Sequence, residues 1–150
     1  MLEQNLQLII EKMGKYGFLL NNGVDSNDVL LFNNAVSEKF QYSLPSEYLD
    51  FLMIMNGFDF NGAIIYGVDI ELVNVNPNHE ISGFMSYNET WYENEWLRQY
   101  IFFGEGEMNW YVFNLSNNQF QLLDKPSGSL IEVFSTFNAL IDYIFEEVLR

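Results

Sequence analysis

The sequence predicts an α+β fold: a central antiparallel β-sheet flanked by N-terminal helices and a C-terminal helix. Three observations predict it. Apolar residues recur at helical spacing in three successive segments before Gly57. Short β-prone pieces separated by turn residues fill the stretch from Gly62 to Phe134. A strong helical stripe returns after Ser135. No internal repeat, low-complexity tract or linker interrupts the 150 residues, so a single domain spanning 1–150 is expected.

The elements follow in order. Leu2, Leu6, Ile9, Ile10 and Met13 form one stripe of an amphipathic helix that Gly14 and Gly17 end. Asn21-Asn22-Gly23 signals a turn, after which Asp25 or Ser26 caps a second helix through Val29, Phe32, Val36 and Phe40. Pro45 suits the first turn of a third helix, where its missing N–H costs nothing. Tyr48, Leu49, Phe51, Leu52 and Met55 fill the buried side of that helix, and Asn56-Gly57 supplies its left-handed end. Residues 51–55 are apolar on every face, which places this helix at the centre of the core.

Beyond Gly62, residues 63–66 and 68–73 read as strands, with Gly67 as a bulge or bend between them, and 74–83 as loop. Residues 86–100, with Tyr87, Trp91, Trp96 and Tyr100 among polar neighbours, read as a short helix. Strands are expected at 101–103, 109–115, 119–124 and 130–134. Gly104-Glu105-Gly106-Glu107 turns the first into the second, and Ser116-Asn117-Asn118 closes a hairpin between the second and third. In the closing helix, 136–149, Ser135 or Thr136 is the cap and Phe137, Leu140, Ile141, Ile144, Phe145 and Val148 share one face.

Composition narrows the function classes. Six Lys and Arg stand against 21 Asp and Glu, a formal net charge of −15, and the six cations are scattered along the chain. Nucleic-acid binding draws its affinity from clustered cations that displace phosphate counterions, so direct nucleic-acid binding is not expected. An acidic surface speeds association with basic partners; it also keeps an aromatic-rich chain soluble. Cysteine is absent, which removes disulfides, thiolate catalysis and cysteine-ligated metals. The N-terminus lacks the basic and apolar regions of a signal peptide, and the longest apolar run is too short to span a bilayer. A cytoplasmic protein without membrane association is expected.

Catalytic chemistry finds little support. His79 is the only histidine and lies in a loop-like stretch, with no G-x-S-x-G segment to supply a nucleophile. Gly104-Glu105-Gly106-Glu107 lacks the spacing and the lysine of a phosphate-binding loop. Glu105 with Glu107 as a glycosidase-like pair, and Asp69, Glu71 or Glu105 as calcium ligands, rest on no supporting motif. No catalytic residue, cofactor or metal is therefore expected. The stretch from Tyr87 to Trp110 is more informative, since Trp91, Trp96 and Trp110 alternate with Glu89, Glu93, Glu95, Glu105 and Glu107. Aromatic anchors beside carboxylates suit contact with a basic protein surface. Trp110, in an alternating strand, is read as core; Trp91, Trp96, Glu93, Glu95, Glu105 and Glu107 are the candidate partner-binding residues.

The order of motifs resembles the SUKH superfamily. Leu44-Pro45-Ser46-Glu47-Tyr48-Leu49-Asp50-Phe51-Leu52, closing at Asn56-Gly57, is similar to that family's LP-x-x-Y-x-x-FL…NG signature. Tyr66-Gly67 before Val68-Asp69, the segment Ile101-Phe102-Phe103-Gly104-Glu105-Gly106 leading to Trp110-Tyr111-Val112-Phe113-Asn114, and the closing segment 134–145 resemble the pieces that follow. The likeness runs from the second helix to the end. It implies an α+β fold without catalytic residues. Bacterial members are mostly immunity proteins that bind and neutralise a cognate polymorphic toxin domain, often a nuclease; fungal members regulate cell-wall synthesis through protein partners. The resemblance therefore implies a toxin-binding immunity protein or, alternatively, a regulator or scaffold with an endogenous partner.

Overall fold

The computed structural model describes residues 2–73, 77 and 80–150. Helix α1 (Leu2–Lys15) buries Ile9 and Met13 and half-buries Leu6, while Ile10 faces outward. The buried stripe is narrower than its sequence pattern because α1 lies mainly along one neighbour, α5 (Phe137–Leu149). Asn5 Nδ2 donates to Asp142 Oδ1 at 2.6 Å and Lys12 Nζ to the Val148 carbonyl at 3.3 Å, fixing that contact at both ends. Helix α2 (Ser26–Phe40) is capped by Asp25, whose carboxylate accepts from the Asp28 N–H at 2.9 Å, and it buries Val29, Phe32 and Val36.

Helix α3 (Ser46–Ile54) begins one residue later than expected, with Pro45 as its N-cap, and buries Tyr48, Phe51 and Leu52. It is not enclosed on every side: Met53 and Ile54 are exposed, since the core covers only its inner face. Met55 is buried in extended backbone, and Gly57 at φ +81° lets the chain turn away.

Among the described residues, six strands form one antiparallel sheet in sequence order: β1 (Phe58–Phe60), β2 (Ala63–Ile65), β3 (Tyr100–Gly106), β4 (Asn109–Asn114), β5 (Gln119–Asp124) and β6 (Leu130–Phe134). Strand β1 was not apparent from the sequence, being three residues directly after Gly57. The expected strand over 68–73 is absent. That segment folds into a 3₁₀ turn (Ile70–Leu72), because side chains take up its hydrogen-bonding capacity: Asn56 Oδ1 accepts from the Val68 N–H at 2.7 Å, and Asp69 is committed elsewhere. The loop read over 74–83 lies partly outside the described residues, as does His79.

The helix expected over 86–100 is two pieces, α4 (Phe84–Trp91) and a 3₁₀ turn (Glu95–Gln99), before Tyr100 enters β3. Asp69 accepts from the Met85 and Ser86 N–H groups at 2.9 and 3.0 Å, so a residue far back in the chain caps α4. Nor do Gly104 to Gly106 form a turn. They belong to β3, and the reversal falls at Glu107 and Met108. Gly104 is there for close approach, since a Cβ at that position would lie 2.1 Å from the Ile64 carbonyl oxygen. Strands β4 and β5 close at the expected hairpin, with Asn118 in the left-handed region at φ +58°.

The core lies where α3 and α5 meet the sheet. Helix α5, capped by Thr136 accepting from the Ala139 N–H at 3.1 Å, buries all six residues of its predicted stripe. Tyr48, with no exposed surface, packs its ring against Phe51, Phe84, Phe103 and Phe137 and donates to the Tyr66 carbonyl at 2.7 Å. Strand β2 is too short to pair with the first half of β3, and a side chain takes its place. The fully buried Asn88 of α4 accepts from the Phe102 N–H at 2.8 Å and donates to the Phe102 carbonyl at 2.9 Å.

Two predictions follow the buried polar groups. Asn88→Ala leaves the N–H and C=O of Phe102 unpartnered, and the expected loss is about 2 kcal/mol or more of unfolding free energy in urea titrations, with the m-value unchanged. The second concerns alkali. Burial pushes the Tyr48 hydroxyl well above its ordinary value of 10 and the Tyr111 hydroxyl up to about 12. The unfolded chain releases these protons near pH 10 while the folded chain retains them. This contribution is therefore fully present below pH 10 and is lost as pH rises through the folded values, so urea midpoints are expected to fall between about pH 9.5 and 11.5.

Candidate functional site

Three of the six candidate residues, Trp91, Trp96 and Glu105, meet at Trp110, the tryptophan read as core. Trp110 stands on β4 on the sheet face opposite α5, is 3% exposed, and is in register with Glu105 on β3 and Leu123 on β5. Around it gather Trp91 from the end of α4 at 5.4 Å, Phe102 at 5.7 Å and Trp96 from the 3₁₀ turn at 6.3 Å, all edge-on. This geometry sets the positive ring edge of one aromatic against the negative face of another.

Trp96 is the outermost of these rings, 46% exposed. Its inner edge rests on Gly128 in the β5–β6 turn. A Cβ there would meet Trp96 Cζ3 at 2.7 Å, and φ of +75° further restricts the position to glycine. Glu93 and Glu95 are exposed beside Trp96 in the same short segment, and Arg98 of that segment donates from Nε to the Tyr92 carbonyl at 3.0 Å. A half-exposed indole thus stands on a fixed base with two solvated carboxylates nearby.

Trp91 and Glu105 are placed differently. Both are half-buried and tied into an internal polar chain: Trp91 Nε1 donates to the Tyr66 hydroxyl at 3.0 Å, and that hydroxyl donates to Glu105 Oε2 at 2.6 Å. Lys125 Nζ meets Glu105 Oε1 and the Gly106 carbonyl, each at 2.9 Å. Burial first, then the Glu105 carboxylate, raises the Tyr66 hydroxyl far above its ordinary value, so it remains a donor. Glu105 lies within an inner strand, β3, and not in the turn the sequence reading gave it. Glu107 is exposed and shares with Asp59, Glu105 and Lys125 a hollow of about 270 Å³ beside Gly62.

The structure therefore separates the candidates into an exposed group, Trp96 with Glu93 and Glu95, an exposed acid, Glu107, at the hollow, and an internal pair, Trp91 and Glu105, between them. Sequence reading missed Tyr66 and Lys125, which organise the internal pair. Their partners lie 39 and 20 residues away, and no local spacing announces such a contact. Asp69, weighed as a cation ligand, spends its carboxylate on the α4 terminus and on the Ser86 hydroxyl at 2.6 Å. No helix among the described residues is long and apolar enough to cross a membrane.

A comparison with curated proteins finds no match. A family model does match, that of the SMI1 / KNR4 family (SUKH-1), over residues 24–143. The matched region starts just before α2 and ends within α5, so it takes in the whole sheet, the core tyrosine Tyr48 and the tryptophan cluster. With most of its length covered, this chain belongs to the SMI1 / KNR4 family (SUKH-1).

Proposed function

We propose that the protein works without catalysis, as an immunity protein that binds and neutralises a cognate toxin domain in the cytoplasm of the producing cell. Family membership fits an immunity or regulatory role exercised through protein partners. The observation that carries the finer reading is the exposed Trp96 on its glycine base, beside Glu93 and Glu95, on a chain of net charge −15. An aromatic anchor supplies affinity once it is desolvated, and surrounding carboxylates accelerate encounter with a basic surface such as a nuclease cleft. Glu107 is a further exposed carboxylate, whereas Trp91 and Glu105 are half-buried and bound to the Tyr66 hydroxyl. A regulator or scaffold with an endogenous partner is the second reading, supported by the same family match.

Co-expression with the C-terminal domain of the protein encoded immediately upstream separates the two readings. Rescue of growth and co-purification of a stable complex are expected of an immunity protein. A domain shown to be toxic alone, yet neither neutralised nor bound, would favour the regulator and direct the search to pull-downs from the native cell.

With the toxin in hand, Trp96→Ala is expected to weaken binding about 30-fold, the equivalent of about 2 kcal/mol, while leaving the melting temperature within about 2 °C. Titration calorimetry and thermal unfolding check the two halves of that statement. The association rate constant is expected to fall at least about tenfold as ionic strength rises from about 0.02 to 0.5 M, measured by stopped-flow; a flat salt dependence would remove charge from the mechanism.

A further inference from the structure

The sheet ends differently at its two sides. Strand β1 is three residues long, buries Phe58 and Phe60, and has Phe18 packed edge-on against Phe60 at 5.1 Å, so that side is short and covered. Strand β6 has five residues, of which Leu130, Ile131, Glu132 and Val133 are exposed. Among the described residues the sheet stops there, so the outer N–H and C=O groups of β6 face away from β5 with no further described strand beside them. Proteins usually shield such an edge, because an open row of backbone donors and acceptors pairs with any compatible strand.

The two faces of this edge differ in chemistry. Val133 is in register with Gln121, Gln121 with Val112 and Val112 with Phe102, which places Val133 on the tryptophan face; beyond a register shift at Ile131, Leu130 is in register with Leu123, which lies opposite Trp110 on the same face. Glu132 is in register with Leu122 on the α5 face. There Tyr143 packs on Phe134 at 5.4 Å, with Glu147 close enough, like Glu132, to act on its hydroxyl. Arg150 engages Glu147 at 3.5 Å, and among the described residues no cation pairs with Glu132. The edge is aliphatic on one side and acidic on the other.

A second copy of the chain fits poorly. An antiparallel pairing that overlaps all five residues sets Glu132 directly opposite Glu132 of the other copy, and like charges in that position repel. The whole-chain charge of −15 on each molecule adds to the repulsion. A strand carrying Lys or Arg opposite Glu132 and aliphatic side chains opposite Val133 and Leu130 matches both faces.

We propose that β6 is a docking edge that takes an extended segment of a partner protein, alternating basic and aliphatic residues, as a seventh strand of the sheet. Backbone hydrogen bonds supply the pairing and the alternation sets its register. The inference stands on the edge and not on the partner's being a toxin, so its test and the co-expression test fail separately.

The probe is a short acetylated and amidated peptide alternating valine and lysine, labelled with a fluorophore and titrated against the full chain by anisotropy. The control is the same peptide N-methylated at alternate residues, which keeps charge and composition but cannot complete a ladder. Saturable binding is expected for the first, at least about tenfold weaker binding for the second, and slowed amide hydrogen exchange confined to β6 and its β5 partners. Glu132→Lys is expected to weaken binding at least about tenfold, whereas Glu38→Lys, the same charge change on exposed α2, leaves it within about twofold. Equal binding of both peptides, equal effects of the two substitutions, protection elsewhere than β6, or no binding would each overturn the proposal. So would a concentration-dependent dimer in sedimentation that protects β6, since the edge would then belong to a second copy.

Discussion

A phenol hydroxyl withdrawn from water needs an acceptor, and Tyr48 meets that requirement where α3, α4, α5 and the sheet come together. Its bond to the Tyr66 carbonyl ties α3 to the end of β2, while its ring touches α4, β3 and the start of α5. From Tyr66 a second polar chain leads outward through that residue's own side chain to Trp91 and Glu105, on to Lys125. The core and the internal pair of the candidate site are thus joined through Tyr66. A buried donor of this kind costs about 1–3 kcal/mol if left unmatched, which favours the single arrangement in which both tyrosines are satisfied.

Helices α1, α2, α3 and α5 and the β4–β5 hairpin were legible in the sequence because each is decided by neighbours in the chain. The α5 stripe, the Asp25 cap and the Asn118 turn depend on spacings of two to four residues, and all three are seen. Errors fall where a distant residue decides. Residues 68–73 have strand-like composition, yet Asn56 takes the Val68 N–H and Asp69 is drawn to cap α4, which leaves a 3₁₀ turn. Gly104 and Gly106 looked like a turn because glycine is most often a turn signal. Here Gly104 lets β2 approach, a reason visible only once Ile64 is beside it.

The candidate site shows the same division. That tryptophans and carboxylates alternate between residues 87 and 110 is a local fact, and Trp110 was read as core from the period of its strand. Which acids are solvated is a tertiary fact. Glu95 and Glu105 look alike in sequence, but one lies in an exposed 3₁₀ turn and the other on an inner strand against a lysine. Pattern therefore marked the segment, and only geometry divided it into an exposed part and a half-buried part.

The strictly sequential order of the sheet bears on how the chain reaches this structure. From β3 to β6 every strand pairs with the one just made, across short turns, so each pairing closes a small loop at little entropic cost. The α1–α5 contact is the opposite case, joining Asn5 to Asp142 across 137 residues. The hairpins can assemble locally and early, whereas α1 has no α5 to rest on until the remainder of the chain is in place. Synthesis on the ribosome thus presents α1 before every strand and gives it its partner, α5, only after β6.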